Sequence, residues 1–218
     1  MTNNGEYDEY TTVRHHYPHF PPGVKRADDT TVLKYPLTAG EDLERLEAER
    51  QIPEAIPPHK NVLGFKGSAD AGIYLERAPN GTVAEYMLDS GKPLSLQQRL
   101  AWCRETAEEP TNLLLDKDLH VKLSNFQGKL LVEDGTVLVD GCSMEPFRFS
   151  IPRNDFRADV KADLFAPGCT VYFILLDHTI FPDIGDRYEE AWEKVEERLA
   201  KKEWPREQQV CSAVTVKC

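Results

Sequence analysis

The run Asn112-Leu113-Leu114-Leu115-Asp116, then Lys117-Asp118, then His120-Val121-Lys122-Leu123-Ser124-Asn125-Phe126-Gln127 decides how this chain is read. Its two apolar runs have the length of short strands, and the polar lysine–aspartate pair between them marks a turn. Just upstream, residues 94–109 (LSLQQRLAWCRETAEE) put Leu96, Leu100, Cys103 and Ala107 on one helical face, with Trp102 and Thr106 beside it and Pro110 to end the helix. Just downstream, KLLVEDGTVLVDG suits a hairpin turned at Glu133-Asp134-Gly135, and the proline-containing MEPFRFSIPRND is irregular.

Toward the N-terminus the pattern is richer in strands. Residues 1–22 mix charge, tyrosine, histidine and proline without periodicity and are expected to be an extended lead-in. Thr31, Val32, Leu33 and Tyr35 suit a short strand that presents Lys34 and that Pro36 helps to end. Leu43, Leu46 and Ile52 trace an imperfect helical stripe, which Pro53 is expected to disturb or stop. NVLGFKG and AGIYLERA then read as strands separated by a turn near Asp70, and Pro79-Asn80-Gly81 reads as a hinge-like turn. Toward the C-terminus, Asp163 to Leu176 is nearly continuous apolar sequence, read as a buried helix kinked at Pro167. Tyr188, Trp192, Val195 and Leu199 line one face of a final helix that Trp204-Pro205 ends.

With 218 residues, of which 40% are hydrophobic, the chain has material for a substantial core. Its 37 acidic against 26 basic residues give a formal charge of -11, a poor balance for neutralising a phosphate backbone, so no nucleic-acid partner is expected. The absence of a long apolar run and of a signal-peptide core leads to the expectation of no membrane partner and an intracellular, cytoplasmic location. Five cysteines form no CxxC pair and read as reduced thiols. His15, His16 and His19 cluster without a clear fourth ligand and read as part of a flexible segment.

A strand-rich first third followed by a helix-rich remainder predicts an α+β chain of two lobes with a cleft between them. Within that order, Val32-Leu33-Lys34, Glu49 on the next helix, Asn112 and the Val121-to-Phe126 run resemble the eukaryotic protein-kinase-like family over roughly residues 24 to 205. The resemblance implies a small β-rich N-lobe at 23–79, a truncated, mainly helical C-lobe at 80–205 and a tail at 206–218. It implies that Lys34 contacts the α and β phosphates of ATP and that Glu49 pairs with Lys34. Leu75 takes the gatekeeper position, and Glu76 to Ala78 the hinge whose backbone meets an adenine. Asn112 takes the place of a magnesium-binding asparagine, Phe126 a packing role, and Asp163 a place bracing the catalytic-loop backbone.

The departures from the family are equally plain. No HRD-type loop precedes Asn112; Ala107 stands at the position of the catalytic base and Glu109 at that of the loop lysine, and alanine cannot accept a proton. Asn125-Phe126-Gln127 replaces Asp-Phe-Gly, so a neutral amide stands where the family has an anionic metal ligand and metal affinity should fall. Gly23 alone represents the glycine loop, and no Ala-Pro-Glu follows the region of Phe149 to Arg153. The expectation is a degenerate, pseudokinase-like domain that binds ATP, holds magnesium weakly through Asn112 and Asn125, and acts as a protein-interaction module. The alternatives are a serine/threonine kinase working through an atypical site and the non-functional product of a truncated gene model. The shortened helix before Asn112 leads to the further expectation that Trp102 and Leu113 to Leu115 face an incompletely filled core.

Overall fold

The computed structural model of the chain describes residues 23–38, 40–106, 112–141, 146–151, 160–185 and 188–204, with the side chains of 41, 160–163, 188 and 189 left aside. The expectations on residues 1–22 (including the three histidines), on Ala107, Glu109 and Pro110, on Cys142, Pro152 and Arg153, and on residues 205–218 therefore lie outside the described residues, as does the side chain of Asp163.

The architecture is α+β. Strands β1 (Val24–Arg26), β2 (Thr31–Lys34), β3 (Phe65–Ala69) and β4 (Gly72–Glu76) form an antiparallel sheet in the order β1-β2-β4-β3. Gly72 holds this sheet tight: at φ 142° it lies so close to β2 that an added Cβ would sit 2.1 Å from the Lys34 carbonyl oxygen. Val32, Leu63, Ile73 and Leu75 bury one sheet-side cluster, to which Leu46 of helix α1 (Glu41–Ala55) and Leu114 add partly buried surface.

Helix α1 departs from its sequence reading in two ways. It continues through Pro53 for two more residues, because a proline this near the end forfeits only a last-turn bond before Ile56 turns extended ahead of Pro57. Its buried face also carries Ala48, Glu49 and Ile52, whereas Leu43 is exposed. A carboxylate thus occupies the inner face of a helix whose leucines suggested a different stripe.

Strands β5 (Leu113–Leu115) and β6 (Val121–Leu123) pair as an antiparallel hairpin in the register Leu113↔Leu123. Alternation along β5 divides its side chains between two cores. Leu114 joins the sheet-side cluster, and Leu113 and Leu115 enter a second one with Val83, Trp102, Val121, Phe173 and Ile174. That second core is filled, contrary to the sequence expectation: Trp102, Leu113 and Leu115 have no exposed surface. Two short helices close it. Helix α2 (Val83–Asp89), not anticipated from periodicity, starts at a capping box in which Thr82 accepts from Glu85 N and Glu85 accepts from Thr82 N. Helix α3 (Leu96–Glu105) turns Trp102 inward, leaving Leu96 and Leu100 exposed, so the predicted Leu96/Leu100 stripe is the outer face.

The remaining pieces are the hairpin of β7 (Lys129–Leu131) and β8 (Val137–Asp140), whose β8 lies against α1, and helices α4 (Val160–Leu176) and α5 (Tyr188–Ala200). Helix α4 begins three residues before Asp163, which is therefore inside the first turn rather than the cap, and it runs through Pro167. Phe147, Phe149, Phe165, Tyr172, Phe181, Val195 and Leu199 anchor a third core between α4, α5 and the intervening loops. Cys103 is half-buried, Cys169 is buried, and both are thiols. No helix among the described residues is long and apolar enough to cross a membrane.

Candidate functional site

The sequence-predicted residues Lys34, Glu49, Asn112 and Asn125 meet at the junction of the four-stranded sheet, α1 and the β5–β6 hairpin. Lys34 is the last residue of β2, and its ammonium donates to the Glu49 carboxylate of α1. The Glu49 side chain is only 2% exposed, so its charge requires a cationic partner, and Lys34 supplies it while retaining 24% exposure of its own side chain. The same Nζ donates to Asn125 Oδ1 at 2.9 Å, and Asn125 Nδ2 donates to Asn112 Oδ1 at 3.1 Å. Four residues spread over 91 positions of sequence thus form one chain of polar contacts.

Hairpin register explains why the two asparagines meet. Pairing of Leu113 with Leu123 places Asn112 opposite Ser124, and both Ser124 N and Ser124 Oγ donate to the Asn112 carbonyl at 2.9 Å. Asn125 follows directly, with φ at 60°, a left-handed conformation that asparagine tolerates better than most residues. Crosslinks fix the hairpin to the sheet: Leu63 N donates to Leu123 O at 2.8 Å and Leu123 N to Asn61 O at 2.6 Å.

Gln127 belongs to this group, and its role was not foreseen. Its Nε2 donates to Glu49 Oε2 at 3.3 Å, giving the buried carboxylate a second donor. Its backbone is held from behind by Gly141, where an added Cβ would lie 2.2 Å from Gln127 O. Gly141→Ala is therefore expected to push this segment away from α1 and to cost about 1–3 kcal/mol through overpacking. A thermal melt of that variant matching wild type would show that the segment yields freely.

Glu76, expected from the resemblance to begin a hinge, ends β4, with Ala78 two residues beyond it. Glu76 N donates to Gly64 O at 2.7 Å, its carboxylate accepts from Gly64 N at 3.1 Å, and Lys122 Nζ lies 3.7 Å from it. Ala78 is partly buried against the sheet-side cluster, in which Leu75 is a buried member. Phe126 is half-buried. A cleft of about 540 Å³ lies elsewhere, lined by His59, Asn61, Val62, Arg104, Glu105 and Leu123 among others, and contains none of the four site residues.

An ammonium can only donate, which fixes both amides. Asn125 must turn its oxygen to Lys34 and its NH₂ to Asn112, and Asn112 must answer with its own oxygen. Each amide oxygen then accepts one hydrogen bond. Magnesium prefers oxygen ligands in near-octahedral array, usually including carboxylates, and two neutral amide oxygens that each already accept a hydrogen bond make a weak donor set for it. Among the described residues, no three His, Cys, Asp or Glu side chains gather as a metal site.

No protein-family model and no curated protein matches this chain.

Proposed function

We propose that the chain is a degenerate, two-lobed protein-kinase-like domain that binds a nucleotide and does not transfer its phosphate. The observation that carries this reading is the Lys34 ammonium, held simultaneously by Glu49 on α1 and by Asn125 after β6. In phosphoryl-transfer enzymes of this class, a strand lysine held by a helix glutamate cradles the α and β phosphates. Lys34 has a third N–H to offer, and its side chain keeps a path to solvent. Transfer additionally needs a base at the acceptor hydroxyl and an anionic metal ligand. Ala107 and Asn125 stand at those two positions in the sequence.

The test is calorimetric titration of the purified chain with ATP, paired with a radiolabel transfer assay. Removing Lys34 alone strands a buried carboxylate, so the informative variant is the neutral pair Lys34→Met with Glu49→Gln. It is expected to weaken ATP binding by about tenfold or more while remaining folded, because a charge-assisted contact to phosphate is lost. Wild-type turnover on a protein substrate would reinstate the atypical-kinase alternative, and ATP affinity unchanged in the double variant would remove Lys34 from the site.

A further inference from the structure

We propose that the cleft between α3 and the loop leading into β3 is a docking site for an extended segment of a protein partner in which acidic residues flank an apolar one; this is independent of the nucleotide reading above. The cleft has a volume of about 540 Å³, within the size of ligand-binding clefts, about 300–1,000 Å³. Val62, Ala101 and Leu123 are half-buried and give it an apolar floor, whereas His59, Lys60 and Arg104 are exposed and give it a rim of N–H donors. Asn61 N donates to His59 Nδ1 at 3.2 Å, so the neutral imidazole carries its proton on Nε2 and is a donor there. Lys60 and Arg104 have no hydrogen-bond or ion-pair partner among the described residues.

Glu105 also lines the cleft, and its carboxylate is drawn to the β5–β6 hairpin: Oε2 accepts from Val121 N at 2.9 Å and Oε1 lies 3.0 Å from His120 Nδ1. The Glu105 carbonyl accepts from Asn61 Nδ2 at 3.4 Å, and Leu123 N donates to Asn61 O at 2.6 Å, so the walls of the cleft are tied to one another. Although the whole chain carries a formal charge of -11, charges are screened over about 8 Å at physiological salt, and a segment in the cleft senses its lining first. Exposed rim groups leave a ligand partly in water. That suits an extended peptide held by its side chains better than a small molecule, which a pocket encloses over most of its surface. Carboxylates answer Lys60 and Arg104 with charge-assisted hydrogen bonds, bidentate at the guanidinium, while an apolar side chain between them covers Val62, Ala101 and Leu123.

The probe is a random heptapeptide display library, panned on the immobilised full-length chain at about 150 mM salt, with recovered peptides titrated by fluorescence anisotropy. Recovered sequences are expected to carry Asp or Glu on both sides of a leucine, isoleucine, methionine or aromatic residue. Lys60→Gln with Arg104→Gln is expected to weaken their binding by about tenfold or more, and Arg104→Lys by no more than about threefold. Both positions are exposed, so melting temperatures of these variants are expected within about 2 °C of wild type. Ala101→Phe places a ring in the floor and is expected to abolish binding with the rim charges intact. Failure to recover a consensus, or recovery of a basic or uncharged one, would overturn the docking site, as would an acidic consensus that binds the double glutamine variant unchanged. Glu108 and Glu109 follow Thr106 closely in sequence, outside the described residues. If Glu108→Gln with Glu109→Gln strengthened the same peptides by more than about tenfold, the chain's own acids would be the occupants of the rim, and the partner would be ruled out.

Discussion

Arg148→Met is expected to lower the melting temperature by about 10 °C, the consequence of losing about 3–5 kcal/mol in a chain of this size. Arg148 is 7% exposed and lies between two buried phenylalanines, Phe147 and Phe149. Its guanidinium donates to the carbonyls of Ile180 at 2.8 Å, Phe181 at 3.1 Å and Ile184 at 2.8 Å, with Gly185 at 3.4 Å. One planar fork thereby supplies donors to the carbonyls of this loop, of which Phe181 O also accepts from Ile184 N at 3.0 Å. That loop carries strain as well, since Phe181 has φ at 54°, a conformation disfavoured for a bulky side chain. Phe181 is nevertheless 5% exposed and packs under the Arg198 guanidinium, 5.1 Å from its ring centroid.

Methionine fills much of the arginine stem's volume yet answers none of the carbonyls, so the loss is polar rather than steric. Lysine at the same position keeps the charge and reaches fewer acceptors; Arg148→Lys should fall between wild type and methionine. The comparison is read by circular dichroism melts of the three proteins. Equal melting temperatures for methionine and wild type would mean that water replaces the guanidinium without loss.

Short elements bounded by turn residues were legible in the sequence, because strand length, proline and glycine all act locally. The β5–β6 hairpin falls within a residue of where its apolar runs place it, whereas β3 starts at Phe65, four residues after the start of NVLGFKG. Burial was less legible. Nothing in the spacing of Leu43, Leu46 and Ile52 distinguishes Glu49 as an inner residue; its position is intelligible only once Lys34 and Gln127 are seen to answer its charge. The family resemblance named Lys34, Glu49, Asn112 and Asn125 as a set, and the structure brings those four side chains together. Gln127 and Arg148 escaped because their partners are 78 and 32 to 37 residues away and include backbone carbonyls, which leave no mark on a side-chain pattern. Helix α2 did carry a local signal, the Thr82-to-Glu85 capping box, but its seven residues are too few for a periodic stripe.

Trp102→Ala is expected to cost about 3–5 kcal/mol and to weaken the site at Asn112 and Asn125 as well. The indole is fully buried and meets Tyr86 edge-on, with ring centroids 5.7 Å apart. Its Nε1 also donates to Leu119 O at 2.8 Å. Leu119 has φ at 63°, so the indole holds an unfavourable turn residue in the connection between β5 and β6. That connection sets the register that puts Asn112 beside Asn125. Trp102→Phe separates the two roles: it keeps most of the ring volume, gives up the hydrogen bond, and should cost about 1–2 kcal/mol. If the turn governs the site, Trp102→Phe should weaken ATP binding at temperatures well below its melting transition, where the variant is still folded. If packing alone matters, its affinity should equal that of wild type and only Trp102→Ala should lose both stability and ligand. Urea unfolding of the two variants, set against ATP titration of each in its folded range, distinguishes these outcomes. The asymmetry expected from the Leu119 contact is a larger loss of affinity than of stability in the phenylalanine variant, because a relaxed turn shifts two amides before it exposes any core.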